Sequence, residues 1–258
     1  MDLFKQVNIS ISLLFTFFVV AVVLQIMIQS DFKTFFLIVR SDEIRSSFLL
    51  GLITATLSTI LCLAVSIPTA YTINRYRFRG RQMAKIILDL PIAFPPIVAG
   101  LGLLLLFGTT SFGISLEDLG FKFIYTPAGI VLAQFFVNAP YTTRILSSTF
   151  SDIDPRYELV AQTLGKTPFE SFLRVTLPMA RAGVTSSVVI TWARGMSEFG
   201  AVLIFAGAIA SKTETLPISL FLNLSCGNID AAIVSAILLI IISLIALSIF
   251  EFFGGGRF

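Results

Sequence analysis

The sequence predicts an all-α integral membrane protein with about six transmembrane helices, and three observations carry that prediction. Hydrophobic residues make up 56% of the 258 and charged residues only 13%, with 26 Phe, and such a charged share is about half that of soluble domains. Uncharged apolar stretches recur, each near the ~20 residues a helix needs to cross ~30 Å of hydrocarbon. Cations also gather on alternate connections between those stretches, as they do on the cytoplasmic side of membrane proteins.

The first span covers 9–28, inside the uncharged interval between Lys5 and Asp31. Its apolar stretch is too long for a secretory signal, and no small-x-small cleavage site follows, so it reads as a retained helix. The segment from Asp31 to Arg45 mixes Phe32, Phe35, Phe36 and Ile38 with charges. It predicts a short helix lying on the outer surface. Further spans follow at 48–74, 86–107, 127–147 and 231–250, each framed by charged residues. A sixth, 184–207, contains Arg194 and Glu198 but has the right length, between Arg181 and Lys212. Backbone polar groups in lipid must be satisfied within the segment, so the spans are helices. Together they form one transmembrane domain over 1–258. No tandem repeat or low-complexity tract is present, and Gly254–Gly256 reads as a frayed tail.

Orientation follows from the loops. Arg75, Arg77, Arg79, Arg81 and Lys85 lie within one short acid-free connection, a strong cytoplasmic signal. Alternation then puts both termini inside, together with the 147–183 connection and its Arg156, Lys166, Arg174 and Arg181. Cys62 and Cys226 are the two cysteines, and their positions exclude a disulfide framework. Histidine is absent, which removes His-based zinc sites, Ser-His-Asp triads and His proton relays.

The most informative segment runs from Asp154 to Pro178. Asp154 and Pro155 suit a helix start, and Leu159, Ala161 and Leu164 can share one face at helical spacing. Gly165 ends that helix. A second begins after Thr167, with Pro168 in its first turn and Glu170 near its positive end. Gly165-Lys166-Thr167 mimics the end of a phosphate-binding loop, but that motif needs a glycine where Val160 stands. The chain itself is not expected to bind ATP.

This segment resembles the coupling segment of ABC importer permeases. Gly165, Val175, Leu177 and Pro178 stand at the offsets of that pattern, while its opening Glu-Ala-Ala is here Leu159-Val160-Ala161, with Glu158 one place early. The departure leaves open whether Glu158 does the usual acid's work. The stretch from Asp89 to Gly108 and the stretch Thr191-Trp-Ala-Arg-Gly-Met-Ser-Glu-Phe-Gly-Ala-Val202 resemble the sulfate/molybdate branch. Ile67-Pro-Thr-Ala-Tyr71 with Phe78-Arg-Gly80 adds to that likeness, which extends over about residues 45–210. The version around Trp192 is most similar to molybdate/tungstate permeases. The resemblance implies a type I importer permease fold in the cell membrane, without catalytic residues or cofactors of its own. It implies a homodimer with two ABC ATPase subunits that bind ATP and Mg, and an extracytoplasmic oxyanion-binding protein. Nucleic acid is not among the implied partners. Glu158, Leu159, Ala161, Leu164, Gly165, Val175, Leu177 and Pro178 would form the coupling surface.

Pro91, Pro95 and Pro96 remove three backbone donors and should kink or break their helix. Carbonyls freed at membrane depth are tolerated when buried in protein or lining a wet cavity, so these residues, with Thr109 at the outer mouth, are pathway candidates or a packing kink. Arg194 and Glu198 lie four apart, on one face if the helix is continuous. Facing lipid would be costly for both. They read either as a buried ion pair (with each other or with Asp89) or as contacts of the anion or gate. The competing functional classes are a sulfate or thiosulfate permease and a membrane-embedded enzyme. The enzyme lacks support, because the intramembrane acids Asp89 and Glu198 sit in no catalytic motif. A secondary transporter would show an internal repeat.

Overall fold

A computed structural model of the chain describes residues 3–253; the glycine run expected to fray lies outside them. Among the described residues every regular element is helical. The long helices are α1 (Leu3–Met27), α3 (Asp42–Arg75), α7 (Pro127–Ser151) and α14 (Ile229–Phe253). By length and composition α1, α3 and α14 can each cross a bilayer. The short helix expected after the first span is α2 (Phe32–Val39), whose Asp31 accepts the Thr34 N–H at 3.1 Å as an N-cap.

Two expected spans are not single helices. The stretch 86–107 falls across α4 (Arg81–Ala93) and α5 (Pro96–Thr109), which meet at 110° and together make either one broken span or a re-entrant pair. The cause lies at the junction: Phe94 is extended, as a residue before proline prefers, and Pro95 and Pro96 cannot donate to the preceding turn. The stretch 184–207 is likewise α11 (Arg181–Met196) and α12 (Gly200–Phe205). Two elements absent from the sequence reading complete the far end of the bundle: α6 (Ser111–Asp118) and α13 (Leu216–Ser225). Both are too short to cross a bilayer, so span-length reasoning passes over them.

The bundle is organised on the α3–α7 contact. The buried side of α3 is a row of small or hydroxylated residues, including Gly51, Thr54, Ala55, Ser58, Thr59, Cys62, Ser66 and Ala70. Small residues let two helices approach closely where lipid supplies no hydrophobic drive for association. Hydroxyls then bridge the seam: Ser66 Oγ donates to Ala139 O at 3.1 Å, and Thr143 Oγ1 donates to Ser66 Oγ at 2.9 Å. Asn74 extends the seam to one end by donating to Ser147 O at 3.1 Å. On the other side of α7 an apolar cluster gathers Ala99, Leu103, Ile130, Val202, Phe205 and Ile218. By contrast α1 buries no residue within the chain and touches mainly α14. Its apolar surface is therefore free for lipid.

Candidate functional site

The segment expected to couple comprises α8 (Arg156–Thr163), α9 (Pro168–Ser171), a π-helical turn (Phe172–Thr176) and α10 (Leu177–Met179). Asp154 Oδ1 accepts the Arg156 N–H at 2.9 Å and starts α8. Gly165 follows its end with φ +86°, a conformation that glycine adopts without a Cβ penalty. The Lys166 N–H closes the turn onto Ala161 O at 3.1 Å. Thr167 and Glu170 then form a reciprocal capping box at the start of α9. The Leu177 N–H reaches back to Phe172 O, one residue further than an α-helix would, immediately before the N–H-less Pro178.

Glu158 is the anchor of this unit. Its Oε1 accepts from Thr176 Oγ1 at 2.7 Å and from Arg75 Nε at 2.8 Å. Its Oε2 accepts from Tyr71 OH at 2.7 Å. Arg75 Nη2 also donates to Ile153 O at 2.9 Å. Burial alone would push the Glu158 carboxyl up, but the hydrogen bonds from Thr176, Tyr71 and Arg75, with the Arg75 charge, bring it below its usual range. The acid thus ties both halves of the segment to the end of α3 and faces inward. Tyr71, Arg75 and Thr176 were missed in the sequence because each partner lies far along the chain or across a turn.

Outward from that anchor the surface is apolar. Leu159 and Leu164 are exposed, whereas Ala161 is buried. The expectation that these three share a face is therefore corrected. Glu158 and Ala161, three apart, point inward together, and Leu159 and Leu164 lie on the other side with Tyr157, Val160 and Phe169. Val175 and Leu177 are half-buried in the returning helix, and Pro178 is exposed.

The two broken spans meet at their breaks. A Cβ on Gly200 would lie 3.2 Å from both Ile97 N and Pro96 Cβ, and one on Gly100 only 2.7 Å from Ala201 O. Pro96 and the 198–200 turn are thus neighbours. Pro91 lies on α4, and Thr109 is at the far end of α5, with its hydroxyl turned back to Leu105 O at 2.8 Å. Glu198 is buried and accepts the Ala201 N–H at 3.1 Å, so its carboxylate caps α12. Arg194 donates from Nε to Asn138 Oδ1 at 3.2 Å and lays its guanidinium over the Tyr141 ring, 3.8 Å from the centroid. No ion pair joins Arg194 to Glu198 or to Asp89 among the described residues. The ion-pair reading is corrected: α11 ends at Met196, so Glu198 lies beyond the helix whose spacing would have aligned the two. Groups of metal-ligating side chains are also absent among the described residues.

A multi-pass helical membrane protein with an apolar-surfaced segment at one end, anchored by buried hydrogen bonds, and paired helix breaks within the bundle has the form of a transporter permease. Residues 63–254 match the family described as "Binding-protein-dependent transport system inner membrane component", and the chain belongs to that family. It is 35% identical over 227 residues to "Molybdenum transport system permease protein ModB" of Mycobacterium tuberculosis, covering 88% of this chain and 86% of that protein. It is 32% identical over 220 residues to "Sulfate transport system permease protein CysT" of Escherichia coli, covering 85% and 79%. Among solved structures, a chain of a bacterial alginate ABC transporter matches 97% of this chain and 91% of its own length, with TM-score 0.73 and 18% identity. A chain of the MetNI methionine ABC transporter matches 81% and 93%, with TM-score 0.62 and 15% identity. These likenesses identify the fold as that of ABC importer permeases.

Proposed function

We propose that this chain is the membrane-spanning subunit of an importer for molybdate and tungstate, working as a homodimer. An ABC ATPase subunit docks on each copy at the coupling end, which is cytoplasmic, and that subunit binds ATP and Mg. An extracytoplasmic oxyanion-binding protein delivers the anion at the other end. The observation that carries the reading is the exposed apolar surface of Tyr157, Leu159, Val160, Leu164 and Phe169, held on a buried ionic anchor. Exposed apolar groups on a rigid mount are what a protein partner needs to bury. ATPase closure would pull this mount, and the Glu158–Arg75 anchor would transmit the pull to α3.

The molybdate reading is supported by the stretch around Trp192 and by the 35% identity to ModB permeases. The 32% identity to CysT permeases supports a second reading, sulfate transport. Uptake of radiolabelled molybdate and sulfate by vesicles holding the whole complex distinguishes them. Saturable molybdate uptake that excess tungstate abolishes and excess sulfate spares supports the first reading. Sulfate uptake that molybdate does not compete overturns it.

A further inference from the structure

A cavity of about 340 Å³ opens at the coupling end between the last turn of α3, the first turns of α4 and the last turns of α7. Its lining is mixed, with Ile73 and Leu88 beside polar residues that include Asn74, Lys85, Asp89, Arg144, Ser147 and Ser148. Lys85 and Arg144 make no ion pair among the described residues. Asn74 is committed to Ser147, donating to its hydroxyl oxygen at 2.8 Å, which leaves the Ser147 proton free to be donated elsewhere. Arg144, Ser147 and Ser148 share one face of α7 by spacing, and Lys85 and Asp89 lie one turn apart on α4.

We propose that this cavity is a low-affinity site for a tetrahedral divalent oxyanion at the inner end of the transport path. The inference rests on the transport reading above. Such an anion is an acceptor only. It needs cations and hydroxyl donors, which Lys85, Arg144, Ser147 and Ser148 supply. Three features keep the site weak. Lys85 and Arg144 are exposed rather than enclosed by neighbours of this chain. Asp89 cancels part of their charge. The negative ends of α3 and α7 also face the cavity, opposed by the positive end of α4. Weak binding suits an exit, because conduction requires that the ion leave as readily as it enters. The cations draw the anion inward from the helix breaks, and the carboxylate prevents its retention.

The test uses the whole complex in phosphatidylcholine nanodiscs, with Cys226→Ser removing the exposed thiol and Ser151→Cys, on the cavity lining but outside the proposed donors, as reporter. An anionic methanethiosulfonate is the probe. Millimolar molybdate or sulfate should slow the anionic probe several-fold more than chloride of equal ionic strength, because screening alone is common to all salts. Lys85→Gln/Arg144→Gln should abolish the difference while the thermal midpoint of the complex stays unchanged, which shows the fold intact. Asp89→Asn should increase it. Equal slowing by chloride, or protection that survives the double substitution, overturns the proposal. Protection produced by added phosphatidylglycerol, with none from the free oxyanions, also overturns it and assigns the cavity to a lipid headgroup. The assay needs no turnover, so its failure leaves the uptake result standing.

Discussion

Arg75 and Glu158 lie 83 residues apart in sequence and meet at 2.8 Å, with side chains only 8% and 7% exposed. The contact joins the end of α3 to the start of the coupling segment and brings the two basic connections to one end of the bundle. Removing one member of a buried pair leaves the other charge uncompensated, typically at ~3–5 kcal/mol. Arg75→Ala should lower the thermal stability of the purified permease accordingly. Arg75→Lys should recover only part of the loss, since an ammonium lacks the fork that serves Glu158 and Ile153 O together. Wild-type stability in Arg75→Ala would show that the anchor carries no weight.

The same acid sets a pH dependence. Glu158 is held below its usual range in the folded protein, so the unfolded chain binds more protons as pH falls. Its stabilisation is complete above the unfolded value of about 4.3 and is lost as pH drops through the lower folded value. The stability gap between wild type and Glu158→Gln should stay constant at neutral pH and shrink in the acid limb. A gap that widens there would reverse the sign and reject the assignment.

Gly165→Leu tests the proposed docking surface. Nothing lies within 4 Å of a Cβ at this position, so the substitution meets no neighbour within the chain. The left-handed backbone adds ~1–2 kcal/mol of strain. The permease should still fold and reach the membrane, while ATP hydrolysis by the assembled complex loses its response to the loaded binding protein. Normal transport by Gly165→Leu would remove this turn from the docking surface.

Gly100 and Gly102 make a paired test of the packed breaks. A Cβ on Gly100 would lie 2.7 Å from Ala201 O and 2.9 Å from Ala201 Cα, backbone atoms that cannot move aside, whereas one on Gly102 meets nothing within 4 Å. Gly100→Ala should destabilise by about 1–3 kcal/mol. Gly102→Ala should be neutral or slightly stabilising, since alanine favours the helix. Equal melting temperatures for the two variants would contradict the α5–α12 contact.

Arg194 and Glu198 should not rescue one another. Glu198→Ala uncaps α12, while Arg194→Ala releases Asn138 and Tyr141. Their stability losses should add in the double variant. Arg194→Ala and Asn138→Ala, which share one hydrogen bond, should be less than additive, as contacting residues usually are. Partial recovery in Arg194→Ala/Glu198→Ala would restore the ion-pair reading.

The sequence by itself determined the membrane class, because apolar run length and charge sparsity are properties of the chain read in order. It also determined the local shape of the coupling segment, since the Gly165 turn and the Thr167–Glu170 cap are built from residues a few places apart. Only the tertiary structure decided which way Glu158 faces, because Tyr71, Arg75 and Thr176 reach it from distant parts of the chain and no spacing rule encodes their meeting. It also decided the two breaks. Pro95 and Pro96 announce an interruption, but its 110° angle and the close approach of α5 to α12 at Gly100 and Gly200 are visible only in the folded chain. Helical spacing suggested that Arg194 and Glu198 pair, and it failed because the helix stops between them. Periodicity predicts contacts only within an unbroken element.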